Sequence, residues 1–72
     1  MITVEIGKRI KYLRNNMNLS QEKLSLKANI DRTYLAGVES GKRNVSVINL
    51  EKIITALDSN FRDFFSYTVD YK

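Results

Sequence analysis

Apolar residues recur along this chain three or four positions apart, the spacing of one face of a helix. Ile6, Ile10, Leu13 and Met17 form the first such stripe and predict a helix over about Val4 to Met17. The run Asn15-Asn16-Met17-Asn18 ends it with turn-forming residues. A second helix opens at Ser20, whose hydroxyl can accept from the unpaired N–H groups of the first turn, with Leu19 and Leu24 around it as a hydrophobic staple. The same grammar returns at once, with Asp31 as cap and Ile30 and Leu35 as staple. Only Ala28-Asn29-Ile30 lies between, room for a sharp turn in which Asn29 takes the left-handed conformation.

Ser46 starts a fourth helix, with Val45 and Leu50 as staple and Val47, Leu50, Ile53, Ile54 and Leu57 as a wide apolar stripe that Asp58 and Ser59 end. Asn60 caps a short fifth helix, Asp63 stands in the capping-box position, and Phe61, Phe64 and Phe65 crowd onto that one turn. One or two of these rings close the core, and the remainder, with part of the fourth helix, face a partner subunit. The tail from Ser66 to Lys72, SYTVDYK, alternates polar and apolar residues and suits an extended strand or a frayed end alike. The whole reads as one all-α domain of five helices over residues 1–72, with its core at about 4–66 and a tail at 67–72.

Leu19 to Asn44 is the informative stretch: two short helices joined at a steep angle by a tight turn, the helix-turn-helix unit. On a helical wheel Leu35 and Val38 of its second helix point to the core. The opposite face shows Thr33, Ala36, Gly37 and Ser40, flanked by Arg32 and Tyr34. A glycine inside a helix costs roughly 1 kcal/mol relative to alanine, so a face this small needs a reason. Close approach to a surface is one, and the DNA major groove admits a helix of this diameter. Arg32 then sits at the helix N-terminus, where recognition helices place base-contacting side chains. An ordinary amphipathic helix with a polar outer face is the competing reading, and the loop that follows weighs against it. Gly41 suits the left-handed position that ends a helix, and Lys42, Arg43 and Asn44 come directly after it.

Composition narrows the function. Seventy-two residues bury only about 60 % of their unfolded surface, so the domain is marginal alone and dimerisation is the available route to further burial. Neither cysteine nor histidine is present, which excludes disulfides and makes zinc binding and imidazole catalysis poor expectations. No glycine-rich phosphate loop or nucleophile–base pair stands out, so neither an enzyme nor a cofactor is expected. The lack of a long apolar run or a signal-peptide pattern points to the cytoplasm by default. The net charge of +4 is uneven: residues 1–30 carry six basic and two acidic side chains, whereas residues 58–72 carry two basic and three acidic ones. A basic front and an acidic rear suit a module facing a polyanion on one side and protein on the other.

The segment SQEKLSLKANIDRTYLAGVESGKRN resembles the DNA-binding region of the lambda-repressor-like (Xre-type) helix-turn-helix regulators, and the likeness extends from about Ile6 to Phe65. Gln21, Glu22 and Leu24 with Leu35, Val38, Glu39 and Gly41 match the superfamily. The DRTYL-G-ES-KRN run is similar to that of the controller proteins of restriction–modification systems. Ser25 stands where alanine is usual, Asn29 and Asp58 where glycine is common, and Val45 where proline is frequent. The resemblance implies a compact five-helix lambda-repressor-like fold. It also implies an Arg14–Glu39 pair that ties the first helix to the end of the third and brings the guanidinium near a phosphate, and a DNA-backbone contact from Gln21.

Arg32, Thr33, Tyr34 and the backbone of Gly37 are therefore expected to meet bases or the groove. Gln21, Lys23, Arg14, Ser40, Lys42, Arg43 and Asn44 are expected at phosphates, with a base as the other option for Arg43. Leu57, Phe61, Phe64 and Phe65 are expected at the dimer interface. The partner is double-stranded DNA with a partly palindromic operator, bound by a homodimer; the controller resemblance adds two dimers on tandem sites, RNA polymerase, and activation then repression of the protein's own promoter. A phage-type repressor or an antitoxin-type autorepressor is the alternative within DNA binding. A protein-interaction module with the fold but no DNA target is the alternative outside it, and a gel shift at physiological salt separates the two.

Overall fold

The computed structural model describes residues 1–66, which form α1 (Ile2–Asn16), α2 (Gln21–Ala28), α3 (Arg32–Glu39), α4 (Val47–Ala56) and α5 (Phe61–Phe65). No strand occurs among the described residues. The alternating tail lies outside them apart from Ser66, which closes α5 by donating its hydroxyl to the Asp63 carbonyl at 2.8 Å.

Four helices begin as the cap residues dictate. Ser20 Oγ accepts from Lys23 N at 3.0 Å, Asp31 Oδ2 from Tyr34 N at 3.0 Å, Ser46 Oγ from Asn49 N at 3.1 Å, and Asn60 Oδ1 from Asp63 N at 2.8 Å. Each satisfies an otherwise orphaned donor and stabilises its helix by about 1 kcal/mol. At Asn60 the expected capping box closes through side chains, with Asn60 Nδ2 donating to Asp63 Oδ2 at 3.2 Å. By contrast, α1 has no side-chain cap and starts two residues before the expected Val4, its first turn closed by Glu5 N donating to the Met1 carbonyl at 3.1 Å.

The first four helices end in one way. A residue at positive φ follows each: Asn18, Asn29 and Asp58 at 57° and Gly41 at 80°. The next amide then returns to a carbonyl five residues back: Leu19 to Arg14, Ile30 to Ser25, Lys42 to Gly37 and Ser59 to Ile54, all within 3.1 Å. This motif satisfies carbonyls the helix leaves open. Asn and Asp tolerate the left-handed region at some cost, because their short polar side chains bond locally.

The core gathers Ile6, Ile10, Leu24, Ala28, Leu35, Val38, Leu50, Ile53, Ile54, Ala56, Leu57 and Phe64. α1 packs on α3, α2 lies between α3 and α4, and α4 supports α5. Gly7 sets the α1–α3 approach: a Cβ there would stand 2.4 Å from the Val38 carbonyl oxygen and 2.5 Å from that of Glu39. Val47 departs from the expected apolar stripe, at 75 % exposure. It is the first residue after the Ser46 cap and points outward, while Val45 takes the inward place of the staple.

Candidate nucleic-acid interface

Three helices meet at Glu39, which is buried at the end of α3. Arg14 donates to both of its carboxylate oxygens, Nε to Oε2 at 2.7 Å and Nη2 to Oε1 at 2.9 Å, and Nη1 donates to the Leu19 carbonyl at 2.8 Å. Gln21 Nε2 adds a bond to Glu39 Oε1 at 3.1 Å. A two-pronged pair of this kind fixes orientation as well as distance. Among the described residues no buried side-chain nitrogen or oxygen is left without a partner. The Arg14–Glu39 pairing is the one the resemblance implies. Arg14 itself is inside the protein, with all three guanidinium nitrogens engaged, so what it offers to a surface is the placement of α2 and α3.

α3 leaves this anchor with its N-terminus outward. Arg32 and Thr33 are exposed at the Asp31-capped end, and Ser40 is exposed at the other. The Ser40 hydroxyl donates to the Gly37 carbonyl at 3.0 Å. That carbonyl also receives the amides of Lys42 and Arg43 at 3.0 and 3.2 Å, so the Gly37 backbone is occupied in ending the helix. Lys42, Arg43 and Asn44 are exposed alongside, as is Lys23 at the start of α2; Gln21 is half-buried. Gly41 is needed twice over: its φ of 80° disfavours a side chain, and a Cβ would stand 2.9 Å from Val4 Cγ2.

The small face of α3 is not bare. The Arg43 side chain folds back across Gly37, and its guanidinium carbon lies 5.2 Å from the centre of the Tyr34 ring. Tyr34 Oη accepts from Asn49 Nδ2 on α4 at 3.3 Å and donates to the Asn44 carbonyl at 3.4 Å. Sequence reasoning passed over Asn49 and gave Gly37 a different purpose. Nothing local marks either residue, because the contact joins the loop, α3 and α4.

The expected interface aromatics divide. Leu57 and Phe64 are buried in the protomer's own core, at 5 % and 0 % exposure. Phe65 is half-buried, set edge-on to Phe64 with ring centres 4.9 Å apart, and Phe61 stays 40 % exposed beside it. Arg9 ties this end to α1, donating Nε to the Phe64 carbonyl at 2.9 Å and Nη2 to that of Asp63 at 3.1 Å.

A family model described as helix-turn-helix matches residues 10–64. The chain is 42 % identical over 66 residues to the control protein C.MunI of a Mycoplasma species, covering 90 % of this chain and 89 % of that one. Its fold is similar to the crystal structure of the restriction–modification controller protein C.AhdI from Aeromonas hydrophila, with 46 % identity and a TM-score of 0.84 over 88 % of this chain and 96 % of the other. It is also similar to the controller protein C.Esp1396I, crystallised as a tetramer with its natural 35 base-pair operator, with 32 % identity and a TM-score of 0.89 over 96 % of this chain and 91 % of that one.

Proposed function

The chain belongs to the helix-turn-helix family, with restriction–modification controller proteins as its relatives, and from that premise we propose that it is a sequence-specific regulator of transcription that binds double-stranded DNA. The observation that carries this reading is the exposed, capped N-terminus of α3, bearing Arg32 and Thr33, with Lys42, Arg43 and Asn44 on the loop beside it. That combination supports the reading, because such motifs dock a helix in the major groove with base contacts from its N-terminus and phosphate contacts around it.

Arg32 is the candidate for two-pronged contact to guanine, with Thr33 and Tyr34 beside it in the groove. Lys42, Asn44, Lys23, Ser40 and Gln21 would contact phosphates. Two copies on a partly palindromic operator, half-sites about 34 Å apart, double the contacts. The protomer, 33 × 23 × 21 Å in extent, is of a size to let two sit side by side on such a site. As a controller protein it would act in the cytoplasm on its own promoter, activating through RNA polymerase when scarce and repressing when two dimers fill tandem sites.

Selection of bound sequences from random duplex DNA tests the reading. Enrichment of one partly palindromic site is the expected result; recovery of no preferred sequence would refute it.

A further inference from the structure

Gly37 has no backbone reason to be glycine. It lies inside α3, and Gly41 is the glycine with positive φ among the described residues. Its neighbour in space explains it: a Cβ on Gly37 would stand 2.4 Å from Arg43 Cγ and 3.2 Å from Arg43 Cδ. The missing side chain is the bed in which the stem of Arg43 lies. At the far end of that stem the guanidinium faces the Tyr34 ring, a contact electrostatics favours. The ring is held through its hydroxyl, which accepts from Asn49 Nδ2 on α4 and donates to the Asn44 carbonyl.

We infer that Gly37 and Asn49 are positioning residues that set the path of the Arg43 side chain across α3, and that both thereby govern how well the protein separates its operator from other duplexes. This rests on the DNA-binding reading above. Asn49 acts through Tyr34, and Gly37 acts by leaving space. An arginine on an exposed loop ordinarily samples many rotamers and must be ordered when it binds. Here the planar fork already has a partner, with its guanidinium carbon 5.2 Å from the centre of the Tyr34 ring. A phosphate accepts a guanidinium from many directions, whereas a base edge does not, so the inference takes Arg43 to a base, the other option its loop position allows, where preset geometry acts chiefly on sequence discrimination.

The test measures, by fluorescence anisotropy, affinity for the selected operator and for a random duplex of equal length. The proteins are wild type, Gly37→Ala, Asn49→Ala, Tyr34→Phe and the Asn49→Ala/Tyr34→Phe double variant. Gly37→Ala should keep a native circular dichroism spectrum, because alanine is the better helix former and this offsets the displacement of Arg43 Cγ from its place 2.4 Å from the new Cβ. Its operator-to-random ratio should nevertheless fall, by about three- to tenfold if the ordering of one long side chain is lost. Damage to the fold does not lower discrimination while the spectrum stays native. Asn49→Ala and Tyr34→Phe should each lower the ratio, and the double variant no further than the worse of them. In the free protein, NMR should find the Arg43 side-chain protons shifted by the Tyr34 ring current, and less so in Asn49→Ala.

An unchanged or higher ratio in Gly37→Ala, or effects of Asn49→Ala and Tyr34→Phe that simply add, would overturn the inference. A wild-type protein that prefers no duplex would overturn the DNA-binding reading and the claim about discrimination with it. In that case the ring-current shift alone judges the positioning: present in wild type and smaller in Asn49→Ala upholds it, and absent from wild type or unchanged in Asn49→Ala refutes it.

Discussion

At the scale of single residues, the molecule turns on a few side chains whose neighbours are distant in sequence. Arg14 and Glu39 are 25 positions apart, buried, and bonded through two short contacts. A buried pair of this kind is weak evidence of net stability, but removing one partner strands the other charge. Arg14→Ala should therefore destabilise the fold by about 3–5 kcal/mol, read as a lower urea midpoint. A loss comparable to that of an exposed pair would mean that water reaches Glu39. The contacts proposed for Arg32 and Lys42 predict a division of labour. Arg32→Ala should cost about 1–3 kcal/mol on the operator and relax preference at one position per half-site. Lys42→Ala should weaken all duplexes about equally and flatten the salt dependence. Competition binding with operator and random DNA checks both, and identical behaviour of the two variants would contradict the assignment. The residue scale was also the least legible in the sequence. Arg14 and Glu39 were paired through the family resemblance. Gly7 passed unnoticed, and Arg43 was placed on a phosphate or a base without sight of its bed on Gly37. Each depends on which helices cross where, and no local pattern encodes that.

Helices were legible because their signals are local. Ser20, Asp31, Ser46 and Asn60 all cap as their positions imply, and Asn29 takes the left-handed turn between α2 and α3. Asn18 and Asp58 do the same after α1 and α4. They were recognisable as helix-ending residues, though their shared geometry was not, since the returning amide bond shows only in the backbone. Ser46 lends itself to an element-scale test, because the helix it starts carries Asn49 in its first turn. Ser46→Ala should lower stability by about 1 kcal/mol in thermal or urea unfolding. Ser46→Gly should cost less, because glycine serves at this position almost as well. Equal losses from both would mean that the hydroxyl bond is not what starts α4. The apolar stripe of α4 was read too widely. Val47, at 75 % exposure, stays outside because the chain enters the core through Val45 and Leu50.

On the scale of the whole molecule, the proposed reading assigns recognition and assembly to different surfaces. α3 and its basic loop form the front, and like-charged fronts repel each other, so two copies on one operator should meet elsewhere. Sequence counting put Leu57 and three phenylalanines at that contact. The fold keeps Leu57 and Phe64 for its own core, which leaves the Phe61–Phe65 stack, ring centres 6.5 Å apart, as the apolar surface α5 can offer. Phe61→Asp should therefore give a folded monomer, with native circular dichroism and half the mass in sedimentation. A folded dimer would place the interface on another face. Binding to DNA is checked by the affinity for the selected operator as salt is raised from about 50 to about 200 mM. Each phosphate neutralised releases counterions, so a dimer making about six such contacts should lose on the order of 10³-fold or more over that range. An affinity that stays nearly flat across it would contradict the account.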